Sequence, residues 1–284
     1  MNNQATAASG DEKLSFGAWV KGYLRAPLFS VPVIAFLIFA LYSGIHFALL
    51  GQIRNMVLGF LLLVIYLPVL YLIERFLHIR LPFFFVWMLL LLLAGGALLG
   101  PCFDYYFRFP HWDDWLHTLS GFLFSCLGCG VMCAVVKPKN ARRFAFCVVI
   151  GIMICLALLM LWEMIEYAGT TFFNLDMQED CLIYDFHSFY LAGTHNYVKT
   201  IGDITKTVIT YDGGKELVLD GYLDIGLYDT LNDLLVGLIG AVFFGLVMLF
   251  NRICKGKLDR AMIPVLTLPD EETEAEETGK TDKR

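Results

Sequence analysis

The sequence predicts an all-α membrane protein: a six-transmembrane-helix bundle with both termini cytoplasmic and a small extracytoplasmic β-hairpin insertion. Three observations predict it. Over 284 residues the chain is 58% hydrophobic and only 17% charged, with a mean hydropathy of +0.64, whereas a soluble domain is about 45–50% apolar and about a quarter charged. Six stretches reach the ~20 mostly apolar residues that a membrane-crossing helix needs. Finally, lysine and arginine collect in alternate connections between those stretches.

The spans read as Phe29–Leu50, Asn55–Ile73, Leu81–Phe103, Trp115–Val136, Phe144–Tyr167 and Tyr228–Phe250. Lys13, Lys21 and Arg25 precede the first, and Arg75 and Arg80 separate the second from the third. Lys137, Lys139, Arg142 and Arg143 join the fourth to the fifth, and Arg252, Lys255, Lys257 and Arg260 follow the sixth. Basic connections stay in the cytoplasm, which puts both termini inside. The other connections hold only Arg54, only Arg108, and a long loop from Gly169 to Leu227.

The expected organisation is therefore a cytoplasmic segment 1–28, transmembrane helices one to five in 29–167, an extracytoplasmic loop 168–227, the sixth helix 228–250, and a cytoplasmic tail 251–284. No basic region leads into a short apolar segment with a small-residue cleavage site, so the first span is expected to stay in the membrane. Within the loop, Thr207–Tyr211 and Glu216–Leu219 alternate like strands around Asp212-Gly213-Gly214, a hairpin signal. The tail turns from basic to acidic at Asp270, Glu271, Glu272, Glu274, Glu276 and Glu277, and a run without aromatics or apolar periodicity reads as solvated and disordered.

Eight cysteines are present, but Cys126, Cys129, Cys133, Cys147 and Cys155 fall inside spans without the spacing of a zinc site. Small apolar packing is their expected role. Cys102 and Cys181 both fall on the outer side, where a disulfide is chemically allowed.

Ionisable side chains in spans are costly and face a bundle interior, a cavity or one another. Span four enters as Trp112-Asp113-Asp114-Trp115-Leu116-His117, and at 100° per residue Asp113, Asp114, His117, Gly121, Phe124 and Gly128 share a face. Span five ends on Glu163 and Glu166, spaced i, i+3 on one side. Span six opens on Asp229, Asn232 and Asp233, in line with Gly240. At 1.5 Å per residue His117, Glu163 and Asp233 all lie roughly one turn below the outer interface, and the glycines allow close backbone approach. Convergence of spans four, five and six is the expectation.

Three readings compete for that convergence. His117, Glu163, Glu166 and Asp233 form a ligand set for a divalent metal ion such as Zn²⁺, Mn²⁺ or Fe²⁺, and a water on the ion could be activated to hydrolyse an envelope lipid. The bland reading is a structural network of paired or protonated acids. A proton- or cation-coupled path needs further acids in the cytoplasmic halves, and none is apparent there. His46, near the outer end of span one, is close enough in depth to join the site, although a lone histidine near an interface is usually half-solvated. Trp112, Trp115, Trp162, Tyr167 and Tyr228 read as an interfacial belt. The expected partner is the lipid bilayer, with an envelope lipid as substrate and no nucleic acid.

The segments DDWLHTLSGF at 113–122, WEMIEY followed by Asp176-Met177-Gln178, and YDTLNDLLVGLIGA at 228–241 resemble the YjdF-type bacterial inner-membrane proteins. That resemblance implies a multi-pass protein of the bacterial plasma (inner) membrane with uncharacterised activity. It places Asp113, His117, Glu163, Glu166, Asp176, Asp229 and Asp233 on motif positions. Between Asp176 and Tyr228 the sequence departs from the pattern, so the hairpin loop reads as an insertion. A fainter likeness is to VanZ-like proteins, through Asp113/His117, Glu163/Glu166 and Asp229/Asp233, with Asp233 standing where asparagine is expected. That analogy implies work on the cell envelope near the outer leaflet.

Overall fold

A computed structural model describes residues 15–77, 79–253, 258, 262–263 and 265–266. The acidic run from Asp270 and the basic residues Lys13, Lys255, Lys257 and Arg260 lie outside the described residues.

The chain begins with α1 (Phe16–Arg25), capped by Ser15, whose hydroxyl accepts from the Ala18 N–H. It breaks at Ala26, which is extended because a residue before proline avoids helical backbone, and restarts with Pro27 as α2 (Pro27–Leu49). Then come α3 (Ile53–Leu77), β1 (Ile79–Arg80) and α4 (Phe83–Leu93). A π-helical stretch, Ala94–Leu99, carries α4 into α5 (Gly100–Cys102), followed by the single turn α6 (Tyr105–Arg108). Two long helices, α7 (Trp112–Val136) and α8 (Ala141–Phe173), come next.

A loop domain then holds β2 (Cys181–Ile183), β3 (Phe186–Ser188), α9 (Phe189–Ala192), β4 (Lys199–Ile201), β5 (Thr207–Tyr211), β6 (Lys215–Leu219) and β7 (Tyr222–Asp224). The last long helix is α10 (Leu227–Ile253), and β8 (Val265–Leu266) pairs back on β1.

Among the described residues, six helices are long and apolar enough to cross a membrane: Pro27–Leu49, Ile53–Phe76, Phe83–Cys102, Trp112–Val136, Ala141–Phe173 and Leu227–Ile253. Each corresponds to one span expected from the sequence. The fifth differs most, continuing past Tyr167 to Phe173. Its 33 residues make about 50 Å at 1.5 Å per residue, well beyond a hydrocarbon core of about 30 Å. Outward-facing Trp115, Leu231, Leu235, Ile239 and Val242 stay exposed, as side chains covered by lipid should.

What brings α7, α8 and α10 together is the absence of side chains where they cross. A Cβ on Gly121 would run into the Gly237 carbonyl, and one on Gly240 into the Thr118 carbonyl. A Cβ on Gly128 would meet the Gly151 carbonyl, and one on Gly151 the backbone of Cys129. The α7–α10 crossing is thus backbone on backbone, the contact that small residues permit in bundles.

At the end of the bundle where α3 finishes, here called the base, α1 folds back over the helices. Glu74 is buried there, and its carboxylate accepts from the Trp19 indole (2.7 Å), the Tyr23 hydroxyl (2.7 Å) and the Leu81 N–H (2.9 Å). This corrects the expectation that the half of the membrane away from the site holds no acid. Glu74 falls just past the expected end of span two, and two of its three partners, Trp19 and Tyr23, come from a helix whose pattern gave no span. Glu74→Ala would strand three buried donors at about 1–3 kcal/mol each. The expected result is a lower melting temperature with trypsin cleavage at Lys21 or Arg25, and no change at the opposite end of the protein.

The base is closed by the chain beyond α10. Met262 and Ile263 are buried, the Met262 carbonyl accepts from Cys126 Sγ at 3.2 Å, and the Arg252 guanidinium lies 3.5 Å over the Phe144 ring.

The expected hairpin is present as β5–β6, paired from Thr207↔Leu219 to Tyr211↔Lys215. Two further pairs, β2–β7 and β3–β4, were not anticipated, because three-residue strands leave no readable alternation. Cys102 and Cys181 are both thiols, and Cys102 donates to the Ala97 carbonyl at 3.7 Å, so no disulfide joins them.

Candidate functional site

The start of α7, the last turns of α8 and the start of α10 meet at the end opposite the base. His117, Glu163, Glu166 and Asp233 point into that junction and are all buried. Each offers a ligand atom, and these atoms lie within 4.8 Å of one another. His117 Nδ1 is 3.8 Å from Glu163 Oε1, and His117 Nε2 is 3.7 Å from Asp233 Oδ2 and 3.5 Å from Asp113 Oδ2. These separations are long for hydrogen bonds. They resemble the ~3.4 Å between ligand atoms that each stand about 2.0–2.2 Å from a tetrahedral ion.

The polar accounting at the junction is unusual. His117 Nδ1, both Glu163 oxygens, Glu166 Oε2 and Asp233 Oδ2 are buried without a hydrogen-bond partner. The other Glu166 oxygen has one, the Trp162 indole N–H at 2.7 Å. Buried polar atoms in folded proteins are nearly always satisfied, and in a membrane bundle the default is the same.

Above this junction opens a cavity of about 180 Å³, lined by Tyr106, His111, Trp112, Asp113, Asp114, Glu179, Asp229, Asn232 and Asp233. Asp113, Asp229 and Asp233 form a second group of ligand atoms, so Asp233 belongs to both. Asp114 sits in this upper cavity, held by His111 Nδ1 at 2.6 Å and by the Asn232 amide, which donates to it. Asp229 accepts from the Glu179 N–H at 2.9 Å.

Asp176 is exposed and contributes charge without joining either ligand group. His46 lies elsewhere, stacked against Tyr42 and Phe103, so it does not join the site.

Several participants were not legible in the sequence. Glu179 comes from the loop after α8: Thr170 accepts from the Met177 and Gln178 N–H groups, and the Gln178 amide donates to Thr230, which folds the strand of chain over the mouth. Burial, then the neighbouring Asp229 and Asp176 carboxylates, push the Glu179 carboxyl above its usual range. Adjacent Asp176-Met177-Gln178 was the one signal pointing there. His111 adopts φ 62° at the start of α7, which lets its ring reach Asp114. Tyr106 is held by burial, then by Asp113, Glu166, Glu179 and Asp233, well above the usual phenol range. It is therefore a protonated donor, spanning 3.5 Å to the Gly96 carbonyl within the π-helical stretch.

The structure therefore gathers the polar residues of three helices into one chamber with a buried histidine-and-carboxylate floor and an acidic mouth. Comparison with curated proteins and with solved structures found no match. Residues 28–254, which include every residue of the chamber and all of the six spans but Pro27, match the model of a family described as predicted membrane protein, DUF2238, in which the YjdF-type proteins are included. The chain belongs to this membrane-protein family.

Proposed function

We propose that the protein is a divalent-cation-dependent hydrolase of an envelope lipid, with the cation held by His117, Glu163, Glu166 and Asp233. One observation carries this reading. Five buried oxygen and nitrogen atoms on those four residues lack a hydrogen-bond partner among the described residues, and one cation would satisfy them together. A structural network would require donors beside the carboxylates, and the hydrogen bond from the Trp162 indole reaches one oxygen of Glu166 while the five atoms stay unmatched.

One imidazole with carboxylates suits Zn²⁺, Mn²⁺ or Fe²⁺. Such an ion lowers the pKa of its bound water to about 7 in the best-known zinc sites, giving a nucleophile at neutral pH. A cation held there would supply a water activated for hydrolysis of a headgroup ester, and Asp113, 3.5 Å from His117, is the carboxylate outside the ligand set placed to take up the proton.

Orientation follows from charge. Exposed Lys137, Lys139, Arg142 and Arg143 lie at the base end, with Arg75 and Arg80, which supports a cytoplasmic base and an outward-facing chamber. The chamber then sits near the outer headgroups of a bacterial plasma membrane, and the fainter VanZ-like likeness agrees with envelope work by analogy only.

A transport reading is less well supported, because the helices below the chamber present Leu159, Cys155, Ala241, Phe244 and Met248, all buried and apolar. The test is headgroup release from a total envelope-lipid extract by protein in proteoliposomes. Release should stop with a chelator, return with Mn²⁺ or Zn²⁺, and be absent in Glu163→Gln. Cation bound without any lipid turned over would reject the enzymatic reading and leave only the cation site.

A further inference from the structure

The upper cavity poses a separate question. It is lined by acids and contains no lysine or arginine among its lining residues, so a bare anionic headgroup would be repelled from the opening that leads to the proposed cation. Asp114 and Asp229 have donors of their own. Asp113 and Asp233 instead offer carboxylate oxygens within 4.8 Å of each other, two carboxyls side by side. Asp233 is only 1% exposed, and its Oδ2 has no hydrogen-bond partner although the residue lines the cavity. Two adjacent carboxylates share either a proton or a cation.

The geometry points to the cation: we propose that Asp113, Asp229 and Asp233 hold a second divalent ion, bridged through Asp233 to the ion of His117, Glu163 and Glu166. This rests on the cation reading of the deeper site for the bridge, though not for the outer ion itself. The two sets differ in chemistry. Three carboxylates beside a cavity with room for several waters form an all-oxygen set that suits Mg²⁺, Mn²⁺ or Ca²⁺ with several waters retained, whereas the imidazole below favours a transition metal. Shared carboxylates in two-metal sites hold ions about 3.5–4 Å apart, clamping the attacking and leaving oxygens of one ester. The outer ion also resolves the charge problem, because a phosphate oxygen would meet a metal at the mouth instead of a ring of acids. The substrate class this implies is a lipid phosphate ester.

The experiment uses full-length protein in detergent, stripped by chelator and re-equilibrated with Mn²⁺, with stoichiometry from mass spectrometry and ion coupling from electron paramagnetic resonance. Wild type should hold about two equivalents with an exchange-coupled spectrum. Asp229→Asn and, independently, Asp113→Asn should each drop to a single equivalent showing the hyperfine pattern of isolated Mn²⁺. Each variant is first shown to be monodisperse with an unchanged metal-free melting temperature.

A single wild-type equivalent that both variants retain and Glu163→Gln loses would overturn the second ion while leaving the deeper site intact. An equivalent lost in Asp229→Asn but kept in Glu163→Gln would support the outer ion and reject the deeper one. Absence of Mn²⁺ from wild type would overturn both, leaving Asp113 and Asp233 sharing a proton.

Discussion

On the proposed cation reading, a His117→Ala, Glu163→Gln double variant purified in detergent is expected to lose a tightly held transition metal that the wild-type protein would retain. Outer-shell partners of a metal ligand typically contribute about 10–100-fold to affinity, so removing two of four direct ligands should lower it by more than about 100-fold. A second readout follows from linkage. A cation at ~100 times its dissociation constant stabilises the folded state by about 2.7 kcal/mol, so added metal should raise the melting temperature of wild type and leave that of the double variant unchanged. Element analysis by mass spectrometry checks the first effect and a thermal scan the second. Metal-free wild type with identical scans would mean that the buried carboxylates are satisfied by protons and water.

The next largest effect should come from a residue that touches no ligand. Gly240→Val puts a branched side chain where the Thr118 carbonyl now lies. Overpacking of this kind typically costs about 1–3 kcal/mol, and here the neighbour is backbone, which cannot rotate aside. Helix α10 must move away from α7, carrying Asp233 from His117, so the variant should lose both thermal stability and metal. Gly22→Ala is the matched control: nothing lies within 4 Å of an added Cβ there, and the helix gains up to about 1 kcal/mol of propensity. A Gly240→Val protein that melts and binds as wild type would show that the crossing is not the contact that assembles the chamber.

Much of the chamber was legible in the sequence, and the reason is periodicity combined with parity. An apolar run of membrane length fixes that a helix crosses, and the count of crossings puts the start of span four, the end of span five and the start of span six at the same level. The 3.6-residue period then turns His117, Glu163, Glu166 and Asp233 to consistent faces. The glycine faces were visible for the same reason, although their partners were not: Gly121 faces Gly237, and Gly240 faces Thr118.

What escaped notice depends on contacts far apart in the chain or on irregular backbone. Glu74 finds Trp19 and Tyr23 more than fifty residues away. His111 reaches Asp114 only through a left-handed backbone conformation, and Glu179 reaches the mouth only because hydrogen bonds at Thr170 and Thr230 fold the loop over it. The extension of α8 beyond Tyr167 was hidden because Gly169, Thr170 and Thr171 weaken the apolar signal just where the helix leaves the hydrocarbon.

The sealed base has a kinetic consequence. With Met262 and Ile263 packed beneath the bundle and Phe244 and Met248 buried under the chamber, the described residues leave the chamber open at its acidic mouth. On the proposed hydrolase reading, a released headgroup would depart through the same mouth by which the next lipid arrives, so it should obstruct its own replacement, and turnover would slow as product accumulates even while intact lipid is plentiful.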